Sequence, residues 1–247
     1  MKIIGVIPAR YQSKRLPGKP LADICGRPMI WWVYQQMIKV EDFSEIYVAT
    51  DDERIAHACA QYQIPVIMTA QSHRNPTERI HEVSTKVSGD IFVFVGSDEP
   101  LVRSESIDQV IRCARTTPDF FVANAMTTVT SAAEVIDFAN VKVITNENGD
   151  GIYTSRSPVP YPRGSLEYTY KKFVGICALS KAALDFFVTT PQSLLEKTEE
   201  CDLLRFIEHR KSLKFVDIDS RMLSVDTAKD LETVRGIIQS RMEKENI

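Results

Sequence analysis

Residues 2–19 read KIIGVIPARYQSKRLPGK, an apolar run over residues 2–8 that passes without a break into a loop from Ala9 to Lys19. The run is too short for a signal core or a membrane span, and it ends in Pro8. It reads as a buried first strand. The loop carries Arg10, Lys14, Arg15 and Lys19 in a chain whose net charge is −3. Ligands of open α/β sheets bind beyond the carboxyl ends of strands. Ser13 and Gly18 leave room for backbone N–H groups to approach an anion. Arg grips phosphate oxygens in pairs, and Lys supplies a point charge. The spacing is neither the P-loop nor the GxGxxG dinucleotide fingerprint. On charge alone a solvated basic loop explains these residues equally well; the place after the first strand favours phosphate binding.

The rest of the first half repeats that layout. Strand patterns at 45–50, 64–68 and 90–95 alternate with helix patterns at 28–39, 52–62, 77–87 and 104–116. Apolar strands separated by helices predict a mainly parallel sheet covered on both faces. Pro28 suits a first helical turn, and either Asp51 or Asp52 can cap the helix that follows. Past residue 117 the pattern changes. Runs at 119–127, 140–145, 151–155 and 172–179 lack long helices between them, and Asn146–Gly151 reads as a hairpin turn. Helices return at 180–189 and 194–210, then a strand at 213–218 and a helix from 227 to 243. One domain spanning 1–247, with a β-rich insertion at about 119–179, is the simplest account.

Composition sets bounds. The chain has 247 residues, 44% hydrophobic and 26% charged, with a pI near 5.9. It predicts a soluble protein with no general affinity for nucleic acid or an anionic membrane, so any anion site is local. No secretory or transit pattern opens it. The five scattered cysteines form no CxxC or zinc spacing and read as reduced thiols of a cytoplasmic protein. The four histidines lie on predicted helices or loops and read as surface or capping residues.

The opening string IPARYQSKRLPGKPLADICGRPMIWWVY (7–34) resembles that of the 3-deoxy-manno-octulosonate (KDO) cytidylyltransferase family. Later blocks resemble it in order: VATDDERI (48–55), MTAQSHRNPTERI (68–80), SDEPL (97–101), YTSRSPVPYPR (153–163) and SVDTAKDL (224–231). The likeness runs from end to end, and its first block and SRSPVPYPR are the specific parts. It implies a nucleotide-diphospho-sugar transferase fold, Rossmann-like, with a β-rich dimerisation arm and a homodimer. It implies an enzyme that transfers CMP from CTP to the anomeric hydroxyl of a sugar acid such as KDO, releasing pyrophosphate, for cell-surface polysaccharide.

Two aspartates then gain weight. Asp98 follows the run 91–95 at a strand tip. Asp226 precedes the last helix, where an N-cap is the plain reading. Attack on an α-phosphate sets a hydroxyl against several negative charges, and Mg²⁺ held by one or two carboxylates plus phosphate oxygens meets that need. The resemblance makes Asp98 and Asp226 the Mg²⁺ ligands and groups them with Lys19 and Arg10 as catalytic residues. It gives Arg10, Arg15 and Lys19 the triphosphate, Ser13 and the backbone near Ala9 hydrogen bonds to the nucleotide, and Thr77, Glu78 and Arg79 the cytosine side. Asp98 then also counts among the residues facing the nucleotide.

Departures gather where the resemblance puts the acceptor. The family usually reads QGDEP; this chain has Gly96-Ser97-Asp98-Glu99-Pro100. A family His and Tyr become Phe173 and Cys177, and a Glu-Gln pair becomes Asp202-Leu203. Asn75-Pro76 replaces Ser-Gly beside the base segment. Arg156 is the candidate for the acceptor carboxylate, with Gly96, Phe173 and Asp202 around it. Lost hydrogen-bonding groups weaken binding of the matching hydroxyls by about 1–3 kcal/mol each. The acceptor is therefore KDO in a rearranged pocket, a modified acid such as an amino-substituted octulosonate, or another acidic acceptor, and Asn75-Pro76 leaves the base choice open as well. A third reading is a non-catalytic nucleotide-binding protein; intact Lys19, Asp98 and Asp226 argue against it.

Overall fold

The first strand, β1 (Ile3–Ala9), is buried along almost its whole length and pairs on both sides, which fixes the centre of the fold. It is followed by β2 (Asp23–Ile24), β3 (Arg27–Pro28), α1 (Met29–Met37), β4 (Phe43–Thr50), α2 (Glu53–Gln61), β5 (Val66–Met68), α3 (Pro76–Lys86), β6 (Ile91–Val95) and α4 (Ser104–Arg115). Then come β7 (Val122–Thr128), α5 (Ala132–Ile136), β8 (Lys142–Thr145), β9 (Gly151–Ser155), β10 (Lys171–Ser180), α6 (Lys181–Thr189), α7 (Leu194–Glu199), α8 (Leu204–Glu208), β11 (Leu213–Asp217) and α9 (Ala228–Glu245). This computed structural model describes residues 1–13, 15–116, 122–165, 167–218 and 222–245. Lys14 and the first residues of the expected 119–127 strand lie outside the described residues.

The fold is α/β. The sheet order is β11-β7-β10-β6-β1-β4-β5, and β8 and β9 add to the first half of β10. β6, β1, β4 and β5 run parallel, as do β11 and β7; β10 is wedged antiparallel between β6 and β7. The parallel half matches a sheet covered on both faces. β7 and β10, drawn from the region expected to be an insertion, are central strands of this same sheet. Pairing of β1 with β6 stops at Val6, so Pro8 lies past the ladder on that side and costs it no hydrogen bond.

One face buries Ile3, Ile7, Val33, Ile55, Ile107 and Ile111 under α1, α2 and α4. The other buries Ile4, Val6, Ile80, Phe92, Leu184 and Phe206 under α3, α6 and α8. Each such side chain contributes about 1.5–3 kcal/mol. This explains why every apolar run in the first half is a strand with no polar alternation.

Two features bend the chain at the carboxyl end of the parallel strands. β10 slips against β7 between Phe173 and Cys177, and fully buried Asn124 fills the gap by donating Nδ2 to Val174 O at 3.0 Å and Ala125 O at 2.6 Å. The helix expected over 194–210 is broken: Glu200 stands in the left-handed region at φ 49°, and Cys201–Leu203 turn the chain back. A fully buried ion pair across the break, Arg205 Nε to Glu196 Oε2 at 2.7 Å, holds α8 on α7. Cys25 (φ 50°) and Gly26 (φ 80°) make a tight hairpin of β2 and β3 that no Asn-Gly signal announced.

Candidate active site

The loop after β1 folds back on itself. Gly18, at φ 70°, donates its amide to Tyr11 O at 2.8 Å. A Cβ at Gly18 would meet the Tyr11 ring at 3.1 Å, and the Arg54 guanidinium covers that ring at 3.3 Å. This turn swings Lys19 inward, with its side chain only 13% exposed.

Lys19 Nζ lies 2.6 Å from Asp98 Oδ2 and 3.2 Å from Asp226 Oδ1, and Arg15 Nη2 lies 2.9 Å from the same Asp226 oxygen. Burial pulls the Lys19 ammonium down, but Asp98 and then Asp226 outweigh it and hold its pKa above the ordinary value. Asp98 follows β6; Asp226 lies between β11 and α9. Val225 N donates to Asp98 O at 2.9 Å and ties the two segments together. Asp226 is not the cap of the last helix. Thr227 and Asp230 cap it reciprocally, Thr227 N to Asp230 Oδ2 at 2.8 Å and Asp230 N to Thr227 Oγ1 at 3.3 Å, which leaves the Asp226 carboxylate for the cluster.

The other donor-side residues fall into two groups. Arg10 is exposed at the end of β1, Ser13 Oγ accepts Leu16 N at 3.4 Å, and Ala9 is buried in register with Thr50. All three lie at or just past the end of β1, in the segment that leads to Lys19. The segment Thr77–Arg79 begins α3, and its side chains have partners elsewhere. Glu78 takes the Arg74 amide at 2.8 Å and its Nε at 2.9 Å. Arg79, 5% exposed, reaches Thr69 and Asp51. Thr77 donates its hydroxyl to Asp202 Oδ2 at 2.6 Å. Asn75 caps α3 by accepting Glu78 N at 2.9 Å, and Pro76 is the first helical residue, so this departure from the family string serves the helix start.

Among the residues expected on the acceptor side, Gly96 donates its amide to Gly175 O at 2.8 Å. A Cβ there would stand 2.6 Å from Asp98 Oδ1, so a side chain at this position requires the Asp98 carboxylate to shift. Phe173, Cys177, Cys201 and Leu203 share one apolar cluster, and Asp202 joins the cluster's edge. Burial raises the Cys177 thiol far above its usual range, with Asp202 adding to the effect. Burial likewise raises the Asp202 carboxyl, against the Thr77 bond that lowers it. Arg156 braces the broken helix: Nε to Glu199 O at 2.7 Å, Nη1 to Phe138 O at 3.0 Å and Nη2 to Glu200 O at 3.2 Å. The structure therefore sets Asp202 near Cys177, packs Phe173 on the same extended apolar cluster as Cys177, and gives Arg156 to the framework around Glu199.

Glu99 gave no signal beyond its place after Asp98. It is 3% exposed, accepts Ser224 Oγ at 2.5 Å and Gly175 N at 3.4 Å on Oε1, and leaves Oε2 buried without a partner. Burial first, and then the Asp98 charge, push its carboxyl well above the usual range.

The fit to a divalent cation rests on the ammonium. A positive centre already sits between Asp98 and Asp226, so the pair converges on one cation-sized spot. Among the described residues no group of three or more His, Cys, Asp and Glu side chains gathers as a metal cage. Two carboxylates plus substrate phosphates are what Mg²⁺ commonly takes. His73 pairs with Glu82 and His81 with Asp185, away from this cluster. Among the described residues no helix is long and apolar enough to cross a membrane.

Residues 4–215 match the family model described as cytidylyltransferase. The 3-deoxy-manno-octulosonate cytidylyltransferase of Escherichia coli is 37% identical over 98% of each chain. That of Lawsonia intracellularis is 38% identical over 97% of this chain and 95% of its own. A solved CMP:2-keto-3-deoxy-manno-octonic acid synthetase in complex with CTP superposes with a TM-score of 0.92 at 37% identity, covering 98% of this chain and 100% of that one.

Proposed function

Since the chain belongs to the cytidylyltransferase family, as a member of its 3-deoxy-manno-octulosonate cytidylyltransferases, we propose that it transfers CMP from CTP to the anomeric hydroxyl of a 3-deoxy-ulosonic acid of the KDO type. The observation that carries this reading is the Lys19 ammonium bridging Asp98 and Asp226 beneath a basic loop. The hydroxyl oxygen bonds to the α-phosphorus, the bond from that phosphorus to the bridging oxygen breaks, and pyrophosphate leaves. Arg10 and Arg15, on the exposed rim, take the outer phosphates, and Lys19 neutralises charge nearer the α-phosphate. Ser13 and the backbone at Ala9 orient the nucleotide. The α3 start, Thr77 to Arg79, supplies the wall beside the base.

Asp98 and Asp226 would hold the divalent metal, which we read as Mg²⁺. When bound, it supplies neutralising charge at the phosphoryl oxygens and makes the attacking hydroxyl more acidic. Arg156 keeps N–H groups beyond its three carbonyl bonds, and from them it reaches the acceptor carboxylate. The chain is read as one domain, 1–247, with β8 and β9 as the arm. Exposed Ile136, Phe138, Ile152 and Tyr161 on or near that arm support a homodimer. Five free thiols support a cytoplasmic setting.

The test is pyrophosphate release with CTP, Mg²⁺ and KDO. Turnover is expected; binding of CTP with no turnover on any sugar acid overturns the reading. A second reading concerns the acceptor. Asp202 is an almost buried carboxylate with a hydroxyl for a partner, set at the edge of an apolar cluster. An ammonium group satisfies such a carboxylate better than a hydroxyl does. This favours an amino-substituted octulosonate. A higher kcat/KM with the amino acid than with KDO is the expected result, and a preference for KDO rejects it.

A further inference from the structure

Asp98 and Asp226 come from segments far apart in the chain, and their spacing needs a fastener. Two bonds join the residues next to them: Val225 N to Asp98 O at 2.9 Å, and Ser224 Oγ to Glu99 Oε1 at 2.5 Å. The first is a main-chain bond that any residue makes. The second is made by side chains chosen for it. Glu99 also accepts Gly175 N at 3.4 Å on the same oxygen, and Gly175 is bonded to Gly96 at the end of β6. A Cβ at Gly175 would stand 3.2 Å from Glu99 Oε1, so the slipped part of β10 is shaped around this carboxylate. An apolar residue would pack there at less cost, because Glu99 Oε2 is buried with no hydrogen-bond partner.

We propose that Glu99 and Ser224 form a latch that sets the distance between Asp98 and Asp226, making both positioning residues for the cation that the two aspartates hold. The inference rests on the reading of those aspartates as metal ligands. Its failure is distinguishable from that of the metal reading, because the latch bonds join neighbours of the two aspartates and not their carboxylates. Partners that orient metal ligands typically carry 10–100-fold of metal affinity.

The experiment measures Mn²⁺ affinity by electron paramagnetic resonance, with a non-reacting CTP analogue bound, and follows melting of the metal-free protein alongside. Ser224→Ala is expected to weaken Mn²⁺ about tenfold and to lower kcat more than it raises KM for CTP. Ser224→Thr, which keeps the hydroxyl, restores most of the affinity. Glu99→Ala combined with Ser224→Ala is no worse than the worse single variant, because both cut one bond. If Glu99→Ala fails to fold, the two Ser224 variants carry the test alone. Unchanged Mn²⁺ affinity in Ser224→Ala, or equal loss in Ser224→Thr, overturns the latch. No Mn²⁺ binding by the wild-type complex overturns the metal reading itself.

Discussion

Thr77 donates its hydroxyl to Asp202 at 2.6 Å. That bond joins the start of α3, which we propose to lie beside the base, to the turn between α7 and α8, which we propose to lie beside the acceptor. Thr77 is fully buried, and its hydroxyl is spent on this bond. Its role is to hold Asp202, and a shift of α3 on nucleotide binding would move Asp202 with it. On that reading the Thr77–Asp202 bond couples the two proposed halves of the site.

Replacing Asp98 or Asp226 by Asn leaves the shape and removes one charge from the pair that Lys19 bridges. Loss of a charged group at the centre of phosphoryl chemistry costs roughly 10²–10³-fold in kcat. Melting should change little, since both side chains are partly exposed. Pyrophosphate release at saturating CTP checks the rate. Near-wild-type turnover by Asp98→Asn would show that the pair has no part in the chemistry.

The Lys19 ammonium occupies the spot on which the two carboxylates converge. It therefore competes with a metal ion in the absence of nucleotide. Lys19→Met should bind Mn²⁺ more tightly than the wild type without CTP, because the carboxylates lose their internal counter-ion. The same variant should bind CTP more weakly, for want of its charge. Calorimetric titration with each ligand alone separates the two effects, and weaker Mn²⁺ binding by Lys19→Met would contradict the competition.

The parallel half of the fold was legible because its apolar runs leave no alternative. The expected 2–8 and 90–95 strands are Ile3–Ala9 and Ile91–Val95, and the 104–116 helix is Ser104–Arg115. The reversed placing of β10 was not, since β-pairing partners are set by contacts distant in sequence. The 194–210 helix kept its periodicity in sequence yet breaks at Glu200, because Glu199 is drawn off to Ser155 Oγ at 2.6 Å and Arg156 N at 2.8 Å. Asp226 looked like a cap because the residues that do cap the helix, Thr227 and Asp230, begin one position further on. Glu99 was not legible, because its partners Ser224 and Gly175 lie far away in the sequence.

Arg205 and Glu196, 1% and 3% exposed, form the pair that closes the broken helix. Arg205 Nη1 also donates to Phe187 O at 2.5 Å and Thr190 O at 3.1 Å. Removing one member of such a buried pair strands the other charge, which costs about 3–5 kcal/mol. Arg205→Ala should unfold at markedly lower urea concentration. Because the pair holds the turn that carries Asp202, acceptor KM should rise in the fraction still folded, while KM for CTP stays close to wild type. A KM change confined to CTP would place the pair on the wrong side of the site.

Asp202 offers a test that separates stability from recognition. Burial raises its pKa above the ordinary aspartate value. An acid whose folded pKa lies above its unfolded one favours the folded state at low pH, and this advantage is lost as pH rises from the unfolded value, 3.8, through the folded one. Once pH has passed the folded value, burying the Asp202 carboxylate is a net cost to folding. Asp202→Asn keeps an oxygen for the Thr77 hydroxyl and removes that cost. It should melt higher than the wild type at pH 7, with the difference vanishing near pH 3. If the carboxylate is there for an ammonium group, the same variant should lose kcat/KM for an amino-substituted octulosonate while its rate with KDO falls far less. Equal losses on both acids would assign Asp202 to the framework, and a lower melting temperature at pH 7 would show that its charge is compensated inside the protein.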